Sequence, residues 1–177
     1  ESARNNRGVS IKKLRTLLEQ AGNVFINNEG NHWLLTFDDS VHCDYFQVQS
    51  LVTDVLRQQK IDHTELIRIA SKGSLLPDLD YEWLDSFKSD YASRIIDVML
   101  LLAQKTEIRQ SSNTLIAICD IIFTQDPLNE HALLIKCREL YKLGKPKVAK
   151  NVYDSFINEY SLIIGTPFHL RFEEVIA

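Results

Sequence analysis

The sequence predicts a mostly α-helical protein with a single β-hairpin close to its N-terminal end. From about residue 39 onward, apolar residues recur at helical spacing between glycine and proline breaks, and no pair of strands is indicated. Before that point, two runs of β-branched and aromatic residues, 24–26 and 33–37, flank the turn-rich segment 27–32. We therefore expect an N-terminal helix, then a hairpin, then a series of helices.

The composition bounds the class of protein. With 177 residues, 45% hydrophobic and 25% charged, the chain is long enough for one globular domain, or for one domain and part of another. Its longest apolar run, 98–103, is far shorter than the roughly 20 residues that cross a bilayer, so no membrane span is predicted. The first six residues lack the apolar core of a secretion signal, which favours a cytoplasmic location.

Cysteine usage fits that compartment. The three cysteines are odd in number and widely separated, which favours reduced and mostly buried thiols over a disulfide framework. They are Cys43, Cys119 and Cys137. No disulfide is expected.

Charge is distributed unevenly along the chain. Residues 1–23 hold five basic and two acidic side chains, a net charge of +3. Because the whole chain carries −4, the remaining residues carry −7. A basic segment on an acidic protein can recruit phosphates even when the whole molecule is anionic. The alternative is that these residues only form the solvated face of a helix.

The first helix is predicted over 9–20. Ile11, Leu14 and Leu18 fall on one stripe, and Gly22 is expected to end the helix in the left-handed conformation. Most of the basic residues lie off that stripe.

The string 5–15, Asn-Asn-Arg-Gly-Val-Ser-Ile-Lys-Lys-Leu-Arg, resembles the recognition helix of OmpR-type winged helix-turn-helix DNA-binding domains. That helix carries a Val-x-Ile-x-(Arg/Lys)-Leu-Arg core, and the hairpin after it resembles the wing. The resemblance implies DNA binding, with one set of side chains facing bases and another holding phosphates. The base-facing residues would be Asn6, Ser10 and Lys13, and the phosphate-binding residues Arg4, Arg7 and Lys12.

Two further expectations come with this resemblance. Arg15, in the family's Leu-Arg pair, would make either a structural ion pair or a phosphate contact. The sequence begins at the recognition helix, so the preceding part of the winged helix is expected to be missing, and this piece alone should bind DNA poorly.

After the hairpin, periodicity and breaks predict a series of helices. They are expected over 44–59, around 66–70 with closure at Gly73, over 81–105, 115–125, 133–141 and 148–160, and at 170–176. The segment 74–80 is predicted to be a loop with buried leucines. Trp33 and Trp83 are each expected to anchor a core.

The last helices suggest a tetratricopeptide-like array, because glycine marks the inner turn and proline the outer one. One such unit spans 127–160. In it Ala132 allows close helix approach, Gly144 permits the turn, and Ala149 with Tyr153 gives a small residue followed by an aromatic one.

Several motifs together resemble the bacterial transcriptional activation domain (BTAD) of SARP and AfsR-type regulators. They are the segments 126–132, 140–145 and 162–167, with 41–46, 73–77 and 82–84 upstream, which carry the Asp-Pro-x-x-Glu, Leu-Tyr-x-x-Gly, Gly-x-Leu-Leu and Glu-Trp landmarks. In that family a helical domain directly follows an OmpR-type winged helix. The resemblance implies a winged-helix part over 1–38 and a helical domain over 39–177. At 165–167 a single threonine separates glycine from proline, where the family usually has a Glu or Leu pair between them. This difference implies that the last helix docks differently.

The implied function is that of a fragment of a DNA-binding transcriptional regulator. Its helical domain would serve dimerisation or contacts with the transcription machinery, and the intact parent protein would bind DNA. The alternative is a tetratricopeptide-like interaction module of a larger signalling protein with no DNA-binding role, in which the basic helix only caps the array.

Nothing in the sequence predicts an enzyme. Five histidines form no close ligand set with cysteines, and neither a phosphate-binding glycine loop nor a nucleophile elbow occurs. The histidines are His32, His42, His63, His131 and His169. We therefore expect no catalytic residue, no metal site, no cofactor and no membrane partner.

Overall fold

A computed structural model describes residues 2–30, 32–57 and 63–177, with side chains from residue 6 onward. Over these residues the protein is mostly helical, 69% of it in nine helices, with one small two-stranded antiparallel sheet. The predicted fold class is confirmed at this level. The chain divides into two compact units, Glu1–Asp44 and Tyr45–Ala177.

The first unit consists of a helix and a hairpin. Helix α1 runs over Ser2–Leu18, and a 3-10 turn at Glu19–Ala21 follows it. Strands β1 (Val24–Glu29) and β2 (His32–Phe37) pair in register from Val24 opposite Phe37 to Glu29 opposite His32. The strands therefore extend through most of the segment predicted to be a turn, and α1 begins before both the periodic segment 9–20 and the recognition-helix string 5–15.

Gly22 connects α1 to the hairpin in a conformation that differs from the prediction. Its φ of 118° is positive, but its ψ of −152° lies outside the left-handed helical region. A Cβ atom here would stand 3.2 Å from Cγ2 of Val41 and 3.3 Å from Oγ of Ser40. The backbone conformation therefore requires glycine, and a methyl group would also have to displace the Val41 and Ser40 side chains slightly.

The second unit is entirely helical over its described residues. Its helices are α2 (Asp44–Leu56), α3 (His63–Ala70), α4 (Glu82–Ala103), α5 (Thr106–Arg109), α6 (Ser112–Gln125), α7 (Glu130–Lys142), α8 (Pro146–Ile164) and α9 (Phe172–Ile176). Three helix starts and ends follow the expected chemistry: Ser111 and Asn129 accept hydrogen bonds from the first turns of α6 and α7, and Gly165 ends α8 in the left-handed conformation.

Two apolar clusters hold this unit together. The first lies among α2, α3, α4 and α6, and its largest fully buried side chains are Leu66, Ile95, Met99, Leu102, Ile118 and Ile122. The second joins α7, α8 and α9 through Leu133, Cys137, Phe156 and Val175. Each fully buried side chain of this size stabilises the fold by about 1.5–3 kcal/mol. Phe123 packs against both clusters and links them.

Consecutive helices pack on one another at the C-terminal end, where α6 contacts α7, and α7 contacts both α8 and α9. Ala132 and Ala149 are completely buried there, and Gly144 has a φ of 70° in the turn between α7 and α8. Pro146 occupies the first turn of α8, where its missing N–H has no helical partner to lose.

Several predictions about individual side chains are wrong. Trp33 and Trp83, expected in cores, are both exposed, because Trp83 lies on the side of α4 away from buried Leu84 and the hairpin strands bury only Ile26. In the loop 74–80, Leu76 and Leu79 are exposed too.

Helix ends also differ in places. Helix α4 stops at Ala103 and a separate short helix follows it, whereas one helix was expected to reach residue 105. Helix α2 ends at Leu56, and the predicted continuation over 58–59 lies outside the described residues.

All three cysteines are free, as expected, and two of them are buried. Burial raises the pKa of Cys119 to about 12 and that of Cys137 to about 11. Both thiols therefore stay protonated at neutral pH and act as small apolar core residues.

Candidate nucleic-acid interface

The predicted DNA-contacting residues lie on the surface of α1. Asn6, Arg7, Ser10, Lys12 and Lys13 are all exposed. The predicted set also includes Arg4, whose side chain the structure does not describe. Within the part of the chain that the structure describes, the three cationic side chains make no ion pair with any acidic group. Their charge is therefore available to an external anion.

Helical spacing groups these residues by face. With about 100° between successive residues, Asn6, Ser10 and Lys13 fall on one side of α1. Arg7 lies roughly 90° around the helix from the middle of that side, in line with Ile11 and Leu14, and Lys12 lies roughly 130° from it in the other direction. Helical spacing thus groups the predicted base-facing residues and sets the predicted phosphate contacts apart from them.

One of these side chains is partly engaged within the helix. Oγ of Ser10 donates a hydrogen bond to the backbone carbonyl of Asn6 at 3.0 Å. The hydroxyl oxygen keeps its lone pairs, so Ser10 can still accept a hydrogen bond from a base edge.

Arg15 fixes the hairpin to α1. Its Nη2 donates to the backbone carbonyl of Ile26 at 2.6 Å, and its guanidinium carbon lies 5.8 Å from the centre of the Trp33 ring. Arg15 contacts strand β1 through a carbonyl and strand β2 through an aromatic face. This contact is neither of the two predicted for Arg15, an ion pair or a phosphate contact.

The open end of the hairpin is closed by polar side chains. Nδ2 of Asn23 donates to Oδ2 of Asp38 at 2.7 Å, and the backbone N–H of Ser40 donates to Oδ1 of the same carboxylate at 2.9 Å. Hydrogen bonds from Ser40 and Asn23 lower the pKa of Asp38. The carboxylate therefore keeps its charge to a lower pH than an ordinary aspartate does.

Sequence reasoning missed the roles of Arg15, Asn23 and Asp38. The antiparallel register could have located the contact between Asn23 and Asp38. Because Val24 lies opposite Phe37, Asn23 and Asp38 are neighbours one position further out. No comparable signal marked Arg15, whose partner is a main-chain carbonyl.

Leu17 was also missed. It is 66% exposed and lies on the same side of α1 as Asn6, Ser10 and Lys13. Such an apolar side chain is the type that contacts the methyl group of thymine in a major groove.

No group of three or more histidine, cysteine or acidic residues stands close enough to hold a metal ion among the residues that the structure covers. Of the helices described, none combines the length and apolar character needed to cross a membrane.

Comparisons with known proteins give no relative for the chain: no family model, no curated protein and no solved structure matches it. The winged-helix and BTAD resemblances therefore stay predictions that rest on the motifs and on the geometry of α1 and the hairpin.

Proposed function

We propose that the chain is part of a DNA-binding transcriptional regulator in which α1 enters the major groove and the hairpin lies beside it as a wing. The observation that carries the proposal is the surface of α1, where Arg7, Lys12 and Lys13 are exposed without an ion pair to any described residue. Such a helix is suited to a groove whose base edges offer hydrogen bonds and whose rims are lined by phosphates.

The roles of the residues follow from their positions. Asn6, Ser10 and Lys13 would contact base edges, and Leu17 would contact a thymine methyl group beside them. Arg7 and Lys12 would bind phosphates, and Arg4 is proposed for the same role; all three assignments come from their places in the motif. Phosphate contacts supply most of the affinity but little of the specificity.

Arg15 gives the hairpin its part in this arrangement. Because the Arg15 side chain joins the hairpin to α1 at Ile26 and Trp33, the two elements would approach DNA together. The hairpin would then be held beside the groove without a direct base contact of its own.

For the helical unit we propose a tetratricopeptide-like arrangement that serves contacts with protein, either a second subunit or the transcription machinery. The successive packing of α6, α7 and α8 and the buried alanines at their contacts support this arrangement. A groove of about 490 Å³ between these helices supports the role, because it combines Phe123, Val152 and Phe156 with Lys136 and Glu159. A mixed apolar and polar groove is the usual form of a peptide-binding surface.

Replacing Arg7 and Lys12 by glutamine tests the DNA-binding role. The protein encoded by the complete gene should bind a pool of genomic fragments, and the double variant should weaken binding about equally on all sequences. Each lost phosphate contact should also lower the slope of log affinity against log salt by about 0.9. Fluorescence anisotropy at several salt concentrations measures both effects.

The matched control is the double variant Lys145→Gln and Lys147→Gln at the start of α8, which removes the same charge from another exposed site. It should leave DNA binding and its salt dependence almost unchanged. If both double variants weaken binding equally, α1 is not the interface. If the folded complete protein retains no fragment, the proposed function is wrong.

A further inference from the structure

A group of exposed aromatic and acidic side chains surrounds the start of α4. The aromatic members are Tyr81, Trp83 and Phe87, which are 54%, 68% and 57% exposed. The acidic members, also exposed, are Asp78, Asp80, Glu82 and Asp85. We call these seven residues the acidic–aromatic face. Large aromatic side chains are seldom this exposed together unless the surface binds something.

The face has a defined geometry. The rings of Tyr81 and Trp83 are stacked, with centres 6.3 Å apart and planes 19° from parallel. Trp83 and Phe87 are one helical turn apart on α4, so their side chains lie on the same side. Nζ of Lys88 donates to the backbone carbonyl of Leu79, which fastens the preceding loop to the helix. The Tyr81 and Trp83 rings therefore stack on each other, and Phe87 lies on the same side of α4 as Trp83.

The negative charge of the face has no ion-pair partner among the described residues. None of the four carboxylates makes an ion pair with any residue that the structure describes. Lys88, the nearest cation in sequence, directs its ammonium group to a carbonyl oxygen. Glu82 and Asp85 lie in the first turn of α4, where their negative charges interact favourably with the helix dipole. Asp78 and Asp80 precede the helix. The dipole therefore explains only part of this negative charge.

We propose that the acidic–aromatic face docks a basic segment of a partner protein, with an arginine or lysine of that segment stacked on Trp83. An exposed indole is the best aromatic acceptor for a cation. The surrounding carboxylates attract the same positive charge and exclude acidic partners, and Phe87 packs against the aliphatic part of the segment. This site lies in the second unit, and the inference does not depend on DNA binding by α1.

The charge argues for this occupant over others. A neutral sugar could stack on the same rings, but it would gain nothing from four carboxylates. A nucleic acid would be repelled by them. A basic segment satisfies both parts of the face, since a guanidinium group pairs with carboxylates and also stacks on aromatic rings.

The test uses a labelled synthetic helical peptide with arginines on one side and leucines on the other. The full chain should bind this peptide, with an affinity that falls as salt is added. Trp83→Ala should weaken binding about tenfold or more, as expected for a central aromatic contact. The double variant Glu82→Gln and Asp85→Asn should weaken it and flatten the salt dependence.

Two controls separate this site from general attraction. Tyr141→Ala removes an aromatic side chain of similar exposure from α7 and should leave binding unchanged. A peptide with glutamine in place of arginine should bind much more weakly. The Trp83→Ala and Tyr141→Ala variants should keep the thermal midpoint of the parent, because the changed side chains are exposed. The Glu82→Gln and Asp85→Asn variant should lower it slightly, because it removes two favourable charges from the first turn of α4.

Three results would overturn the proposal: no binding of the basic peptide, equal binding by the Trp83→Ala and Tyr141→Ala variants, or equal binding of the glutamine peptide. Retention of the chain on an oligosaccharide matrix through Trp83, with no affinity for the basic peptide, would replace it by a sugar site.

Discussion

At the scale of single residues, the buried carboxylate of Glu139 is the clearest case of a group whose surroundings decide its charge. It is only 6% exposed, and it accepts hydrogen bonds from Oγ of Ser112 and Nζ of Lys142, both at 2.6 Å. Burial raises its pKa, but these bonds and the positive charges of Lys142 and Arg109 outweigh that effect, so the pKa is lowered. The carboxylate connects the start of α6 to α7.

The pKa of Glu139 gives stability a defined pH dependence. Because it is lower in the folded state than in the unfolded chain, ionised Glu139 stabilises the fold above about pH 4.5, its ordinary pKa, and this contribution is lost as the pH falls further. Glu139→Gln should lower the free energy of unfolding by about 1–2 kcal/mol at neutral pH. Urea unfolding across this range should show the difference shrinking in acid.

The control is Glu159→Gln, which changes a carboxylate exposed on α8. It should alter stability little at any pH. A Glu139→Gln effect that stays constant from neutral to acid pH would contradict the charge-based explanation and leave only a packing effect.

At the scale of elements, two glycines show how the same residue type serves opposite purposes. Gly144 has a φ of 70° in the turn between α7 and α8, whereas Gly8 lies inside α1. A Cβ atom at either position would have no neighbour within 4 Å. Any effect of an added methyl group must therefore come from the backbone alone.

Alanine substitutions at these two positions should have effects of opposite sign. Gly144→Ala should destabilise the second unit by about 1–2 kcal/mol, because the left-handed conformation places Cβ close to a carbonyl oxygen. Gly8→Ala should stabilise α1 by about 0.5–1 kcal/mol. Chemical unfolding measures the first effect, and amide hydrogen exchange within α1 measures the second. Effects of the same sign would contradict this account.

At the scale of the whole molecule, burial is distributed very unevenly. Among the described residues of the first unit, Ile26 is the one buried apolar side chain, whereas the second unit contains both apolar clusters. The contacts between helix and hairpin in the first unit include the hydrogen bond from Arg15 to Ile26 and the contact of Arg15 with Trp33. Little of its stability can therefore come from the hydrophobic effect.

Hydrogen exchange should reflect this difference between the units. Amides paired between β1 and β2 should exchange much faster than those in the middle of α6 or α7, because local opening exposes little apolar surface there. Exchange followed by mass spectrometry on the intact chain would resolve the two classes. Equal protection of the two units would mean that contacts other than apolar burial stabilise the first one.

The helices of the second unit were predicted well, because their apolar spacing and their glycine and proline breaks act locally. Helix α7 begins at an Asn129 cap and ends before Gly144, as such local signals require. Exposure was predicted less well. Trp83 and Leu79 are large and apolar, and a single sequence cannot show that no neighbouring element covers them.

The candidate interface was likewise predicted only in part from the sequence. Helical spacing was sufficient to place Asn6, Ser10 and Lys13 on one face. The hydrogen bond from Arg15 to Ile26 depends on how α1 and the hairpin fold against each other. Its acceptor is a main-chain carbonyl, which every residue has, so the sequence does not indicate it.

The constraint at Gly22 has a consequence for natural variation. Its dihedral angles exclude most side chains, and Val41 and Ser40 occupy the space that a methyl group would need. The joint between the helix and the hairpin can therefore tolerate almost no inherited change, while the neighbouring surface of α1 is free to diverge. Related proteins could alter what the helix recognises and still keep the same angle between helix and hairpin.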